Sequence, residues 1–284
     1  MRIISWEAYD ILLYYSKEIK DIKYKSKLIK TKGENDPVTL ADLSVNDLVI
    51  KRIKEKYSLD EFNILSEEST EIYSKENLMI SDWVWVLDPL DGTKDFIEGS
   101  GDYAMHLALN YKKKPLLGVV LIPSKNELWI ADGEKIWCER KDGSSMTPSM
   151  GTNKTLKEMT IVTSKNHRNE TLKKLVDIAG FKEVKVMGSI GCKIASILRG
   201  ESDIYISLSL PNGTSPKDWD FAAPEAILKT AGGAVTNIEN EDLSYGGENF
   251  EQIGIIIASN NVHIHGQICQ LLKEIIKNYN LYPF

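Results

Sequence analysis

Residues 83–96 read WVWVLDPLDGTKDF, an apolar run with almost no polar alternate that ends abruptly in two acids three positions apart, a proline, a glycine and a threonine. A run of this length and composition predicts a strand buried on both faces, which constrains the fold to layers covering the sheet on either side. By itself the segment DPLDGT fits equally well a Pro-Gly turn capped by its own aspartates. The question is what Asp88 and Asp91 do at the end of so buried a strand.

The chain has 284 residues and 42% hydrophobic content, enough for one large domain or two ordinary ones with a substantial core. A net charge of −6 argues against long nucleic acid as a partner, because binding by counterion release needs a basic face. A small nucleotide is still allowed, since one pocket can be locally basic. Three cysteines without CxxC spacing suggest neither a disulfide framework nor a zinc knuckle, and fit a reducing compartment. The N-terminal segment is apolar only at helical intervals and carries acids, so it reads as neither a signal peptide nor a membrane span. The expectation is a cytoplasmic protein without a membrane partner.

Apolar residues at Ile4, Ala8, Ile11, Leu12, Tyr15 and Ile19 predict an amphipathic helix running to about Ile29, and a second helix is expected from Thr39. Strand signals follow in FNILS, WVWVLDPL, YAMHLALNY, PLLGVVLI, ELWIA and KIWCE, so the first half reads as α+β. The stretch KDGSSMTPSMGTNKTLK is the best candidate for a junction, dividing the chain into an N-terminal domain 1–148 and a C-terminal domain 149–284. In the second half, strands MTIVTS, VKVMGS, DIYISLS and IGIIIAS alternate with helices ETLKKLVDIAG, CKIASILRG and DWDFAAPEAILKTAGG, the pattern of an α/β unit.

Acids fall at three element ends: Glu67 and Glu68 in ILSEES, Asp88 and Asp91, and Asp218 and Asp220 in DWD. Crowded carboxylates raise one another's pKa, so such a cluster is expected only where cations hold it ionised. Oxygen ligands without His or Cys select hard ions, Mg²⁺ before Zn²⁺. An EF-hand loop is excluded by spacing, because Thr93 or Phe96 stands where its glycine is required. The segment GSGDYA matches a dinucleotide fingerprint but runs into an alternating strand, so it fails the context that fingerprint requires.

With SEE upstream and WD-x-A-A-P-E downstream, DPLDGT resembles the metal motif of the inositol monophosphatase superfamily, three motifs in the expected order over most of the chain. The resemblance implies a layered α/β/α/β/α sandwich and a Mg²⁺-dependent, Li⁺-inhibited phosphomonoesterase holding two or three Mg²⁺ ions. It implies Glu67, Asp88, the Leu90 carbonyl, Asp91 and Asp220 as metal ligands, with Pro89 stiffening the corner. Two ions ~3.5–4 Å apart would clamp the attacking and leaving oxygens, and cation binding brings water from a pKa near 15.7 to about 7. It further implies Thr93 and Asp42 as the dyad that orients the attacking water, and the Gly92 and Thr93 amides as partners of the phosphoryl oxygens. Without the resemblance, Asp42 is equally well a helix-start acid favoured by the dipole.

The superfamily divides among inositol phosphates, sugar bisphosphates and 3′-phosphoadenosine 5′-phosphate. DPLDGTKDF, VTSKNHRNE and MGSIGCKIASILRG resemble the 3′(2′),5′-bisphosphate nucleotidases of the bacterial CysQ type, where inositol monophosphatases more often read DGTTNF. On that reading Ser164 and His167 face the distal phosphate, and Gly188, Ser189 and Lys193 line the nucleoside and its 5′-phosphate. Ile190 and Cys192 depart from the G-x-G-N-K pattern, which weakens the adenine contacts more than the phosphate ones. The expected partner is a small phosphorylated nucleotide, or a sugar or inositol phosphate, and a homodimer is left open. His106 reads as a core or interface histidine, and His263 and His265 in NNVHIHG as part of a surface loop. A catalytically silent metal- or nucleotide-binding module is the rival class, disfavoured because every acid of the motif is present with Thr93 and Asp42.

Overall fold

The computed structural model describes residues 1–21, 27–33, 36–57, 61–69, 81–166, 169–210 and 213–283. Within them lie seven helices, α1 (Arg2–Glu18), α2 (Leu40–Lys56), α3 (Thr93–Glu98), α4 (Glu170–Ala179), α5 (Ile190–Leu198), α6 (Asp218–Thr230) and α7 (Val262–Asn278). A hairpin pairs β1 (Ile29–Gly33) with β2 (Asp36–Thr39). A seven-stranded sheet follows in the order β3 (Phe62–Ser66), β4 (Trp83–Asp91), β5 (Ala104–Tyr111), β6 (Lys114–Ile122), β7 (Glu127–Ala131), β8 (Ile136–Glu139) and β9 (Ser145–Met146). The second sheet has the order β11 (Glu183–Met187), β10 (Thr160–Ser164), β12 (Ile204–Leu208), β14 (Ile255–Ser259), β13 (Ala234–Asn237).

The layers stack as α/β/α/β/α. Helices α1 and α2 cover one face of the large sheet through Ala8, Leu12, Val45, Val49 and Ile53, which meet Trp85, Leu87 and Leu107. Helices α5 and α6 lie between the sheets in a core drawn from both halves of the sequence, in which Val86, Ala108, Val120 and Trp129 join Ile194, Phe221, Ile227 and Tyr205. Helices α4 and α7 close the far face of the small sheet over Ile161, Ile206 and Ile257. The shared middle layer is why β4 is apolar on both faces: Trp85 and Leu87 point to one core, Val86 to the other.

Close approach of α6 to the large sheet depends on Gly118. A Cβ there would lie 2.7 Å from the Ala226 Cβ and 3.0 Å from the Ala223 carbonyl, so the small residue sets how near α6, which carries Asp220, comes to β6.

Two elements differ from the sequence reading. The first helix stops at Glu18 instead of continuing to Ile29, and Ile29 instead opens the hairpin opposite Thr39. Residues 22–26 lie outside the described residues. The stretch NNVHIHG is not a surface loop: Asn261 caps α7 by accepting from the His263 amide, and Ile264, Ile268, Leu272 and Ile276 dock on the small sheet. His265, 1% exposed, lies between the hydroxyls of Ser259, 2.7 Å from Nδ1, and Thr236, 2.8 Å from Nε2. No helix among the described residues is long and apolar enough to cross a membrane.

Candidate active site

The acids are brought together by a fault in a ladder. Strand β4 pairs antiparallel with β5, with Asp88 opposite His106 and Asp91 opposite Ala104, so β4 carries one more residue than its partner over that interval. Pro89 sits in this bulge, where its missing N–H costs no ladder bond. The Leu90 amide turns back to Asp88 Oδ1 at 3.0 Å, and Gly92 at φ 88° sends the chain into α3. A side chain at Gly92 would be strained in that conformation and would lie 2.7 Å from the Asp102 carbonyl.

Asp220 arrives from the first turn of α6. Oxygens of Asp88, Asp91 and Asp220 fall within 4.8 Å of one another. Glu67, at the end of parallel β3 beside β4, lines the same cleft. Burial first, then repulsion from Glu67, Asp91 and Asp220, drives the Asp88 carboxyl well above the usual carboxylate range. Burial and Asp91 push Asp220 up to about 7, against the Lys217 amide that donates to its Oδ2 at 2.6 Å. Such a set of acids can be fully ionised together only beside positive charge, and the donors are all oxygen, which fits a hard divalent cation.

One oxygen of Asp91 is committed elsewhere. Its Oδ2 accepts from Ser189 Oγ at 2.7 Å and from the Ile190 and Gly191 amides at 2.5 and 3.2 Å, the N-terminus of α5. The amides at the N-terminus of α5 therefore meet a protein carboxylate, which leaves Oδ1 for the acid cluster. His106 is beneath, 1% exposed, with Nε2 3.4 Å from the same Asp91 oxygen and Nδ1 3.4 Å from the Trp219 carbonyl. It is thus a core histidine, as expected, and one that touches both acid-bearing elements.

Thr93 and Asp42 come together from α3 and α2. Asp42 completes the capping box of α2, accepting at Oδ2 from the Thr39 amide at 2.8 Å and the Thr39 hydroxyl at 2.6 Å. Its Oδ1 lies 3.2 Å from Thr93 Oγ1, which is also 3.1 Å from the Leu90 carbonyl. Burial raises Asp42 to about 6 despite the Thr39 donors. The capping and relay readings of Asp42 are therefore compatible, one oxygen for each.

The acids floor a cleft of about 680 Å³, within the range of small-molecule sites. Ser164, Gly188, Ser189 and Lys193 line it, as do Leu90, Gly92 and Thr93. His167 lies outside the described residues. Lys193 is 2% exposed, donates to the Gly188 carbonyl at 2.8 Å and lies 5.2 Å from the Tyr205 ring centroid. Burial lowers its ammonium against the pull of Asp91. Tyr205 and Ser207, absent from the sequence reading, also line the cleft. The period-two pattern of IYISLS puts these two on one face of β12, the signal that could have found them.

The fold and this acid corner define a phosphatase of the layered type. The sequence model described as "Inositol monophosphatase family" matches residues 3–277, and the chain belongs to that family. The 3′(2′),5′-bisphosphate nucleotidase CysQ of Buchnera aphidicola is 32% identical over 233 residues, 82% of this chain and 80% of that protein. The Nus factor SuhB of Escherichia coli K12 is 29% identical over 251 residues, 86% of this chain and 85% of that protein. Among solved structures, CysQ from Bacteroides thetaiotaomicron superposes with a TM-score of 0.72 at 24% identity, over 89% of this chain and 93% of that one.

Proposed function

We propose that this phosphatase removes the 3′-phosphate of 3′-phosphoadenosine 5′-phosphate, giving AMP and phosphate, with Mg²⁺ held by Glu67, Asp88, the Leu90 carbonyl, Asp91 and Asp220. The convergence of Asp88, Asp91 and Asp220 within 4.8 Å on the floor of a large cleft carries the reading. When bound, Mg²⁺ supplies Lewis-acid stabilisation of phosphoryl oxygens and lowers the pKa of water.

The chain's own residues do the rest. Thr93 Oγ1 has one proton and two acceptors, and when that proton is shared with Asp42 its lone pairs are free to accept from a water and aim it at phosphorus. Asp42, in its ionised form, drains proton density from the Thr93 hydroxyl. Gly92 and Thr93 line the cleft where the phosphoryl group would sit, and Ser164 at the end of β10 and Lys193 in α5 line it as well. Lys193, whose ammonium burial disfavours and Asp91 supports, would when charged act strongly on an anion from a site screened from water.

The bisphosphate nucleotide is favoured over an inositol or sugar phosphate by the relative at 32% identity and by this second, cationic end of the cleft. Turnover of 3′-phosphoadenosine 5′-phosphate, inositol 1-phosphate and fructose 1,6-bisphosphate, side by side with Mg²⁺ and with added Li⁺, tests it. The nucleotide is expected to show the highest kcat/KM, with Li⁺ inhibiting. If the nucleotide is the poorest of the three, the assignment is lost.

A further inference from the structure

Asp95 follows the metal corner by four residues and is fully buried, yet no step above uses it. Its Oδ1 accepts from Ser100 Oγ at 2.7 Å and Lys165 Nζ at 3.1 Å, and its Oδ2 accepts from Asn166 Nδ2 at 3.0 Å. Lys165 also reaches Glu98 at 2.5 Å. Against the same carboxylate lies Gly188, where any Cβ would overlap the carboxylate. The Gly188 amide donates to Asp102 Oδ2 at 3.1 Å, and the adjoining Ser189 hydroxyl reaches Asp91. The end of β10 is thereby bonded to Asp95 of α3, while the turn from β11 into α5 packs against the same carboxylate and is bonded to Asp91 and Asp102 on either side of that helix.

Both loops line the cleft: Ser164, Lys165 and Asn166 on one, Gly188 and Ser189 on the other. We infer that Asp95 is a positioning residue that fixes these two loops at a set distance from the acid corner and so determines how well the substrate-binding end of the cleft fits its ester. This rests on the cleft being the phosphate-ester site. A carboxylate suits the task because it offers several acceptor sites to three donors from two segments of the chain, and a buried acid with its donors satisfied resists displacement. Asp95 itself also lines the cleft, and the effect acts through its bonds to Lys165 and Asn166 and its packing on Gly188.

The test compares Asp95→Asn, Asn166→Ala and the double variant with wild type, using 3′-phosphoadenosine 5′-phosphate or whichever ester of the panel the wild type turns over fastest. Asp95→Asn should raise KM about tenfold or more, with kcat within about threefold and the Mg²⁺-induced rise in melting temperature unchanged. Asn166→Ala, at an exposed position that does not endanger folding, should raise KM several-fold. The double variant should be no worse than Asp95→Asn alone, because both changes break one linkage. Unchanged KM in both single variants, even with reduced stability, overturns the inference, as does a loss confined to kcat or strictly additive effects. If Asp95→Asn does not fold, Asn166→Ala with unaltered KM is enough to overturn it. A wild type without Mg²⁺-dependent phosphatase activity on any ester would instead contradict the functional reading, so the two failures are distinguishable.

Discussion

The Ile190 amide lies 2.5 Å from Asp91 Oδ2, so a carboxylate of the acid corner in the first half of the chain is the anion at the N-terminus of a helix in the second half. Helix N-termini favour negative charge, and here that preference is used to hold the Asp91 carboxylate in place. The corner is therefore assembled against electrostatic cost. Its acids repel one another, and the donors around them offset only part of that.

That cost gives a first prediction. Asp88 has one amide donor and three acidic neighbours, so Asp88→Asn should stabilise the cation-free protein by about 1–3 kcal/mol, since it removes a buried charge and keeps the shape. Urea denaturation at pH 8 in EDTA measures it, and the same variant should have no Mg²⁺-dependent activity. A variant less stable than wild type in EDTA would mean the acids are not in conflict.

Thr93 and Asp42 should behave as one unit. Thr93→Ala is expected to lower kcat ~10²–10⁴-fold, the usual range for losing a positioned proton-transfer group, with KM little changed. Thr93→Ser, which retains the hydroxyl, should recover most of the rate. Asp42→Asn should lower kcat similarly, and the pair should be strongly non-additive. Single-turnover measurements separate this from slow product release; equal rates for the Ala and Ser variants would remove Thr93 from the chemistry.

Gly118 should matter at a distance. Gly118→Ala pushes on Ala223 and Ala226 of α6, at a cost of ~1–3 kcal/mol in overpacking, and shifts the helix that carries Asp220. The expected result is a lower melting temperature together with a weaker Mg²⁺ response in activity titrations. A destabilised variant with wild-type Mg²⁺ dependence would show that α6 moves without its acid.

His265 sets a pH dependence of stability unrelated to catalysis. Burial lowers its imidazole to about 4, whereas in the unfolded chain it titrates near 6.5. Between those values the unfolded chain binds more protons, so this residue's contribution, fully present above about pH 6.5, is lost as the pH falls toward 4, at up to ~1.4 kcal/mol per unit. Stability measured from pH 7.5 to 4.5 should fall less steeply in His265→Gln than in wild type. Parallel curves would contradict it.

How much of this was legible in the sequence follows from the range over which each feature is encoded. The β4 part of the acid corner was legible because Asp88, Pro89, Leu90, Asp91, Gly92 and Thr93 are contiguous, whereas the choice of Glu67, Asp220 and Asp42 from other elements came only from the family resemblance. The layer order came from the family resemblance, with which the apolar run of β4 and the alternating second half agree. The hairpin at Ile29 was missed because Ile29 prolongs the helical spacing of α1, and only its pairing with Thr39 decides the matter. Helix α7 was missed because NNVHIHG carries turn residues, although Ile264, Ile268, Leu272 and Ile276 kept a helical period beneath them. The role of Asp95 could not be read at all, since its partners Lys165 and Asn166 stand 70 and 71 residues away. For the same reason the pairing of the Ile190 and Gly191 amides with Asp91, 99 and 100 residues away, could not be read.

The central claim is that the convergent acids of Asp88, Asp91 and Asp220 hold the cation that makes this cleft a phosphatase. It is tested most directly by measuring phosphate release from 3′-phosphoadenosine 5′-phosphate during a Mg²⁺ titration of EDTA-treated wild type and Asp220→Asn. The account predicts no release without Mg²⁺, saturable activation of wild type, and at least a hundredfold loss in Asp220→Asn at saturating Mg²⁺. Undiminished release in EDTA, or an Asp220→Asn variant with the wild-type titration curve, would contradict it.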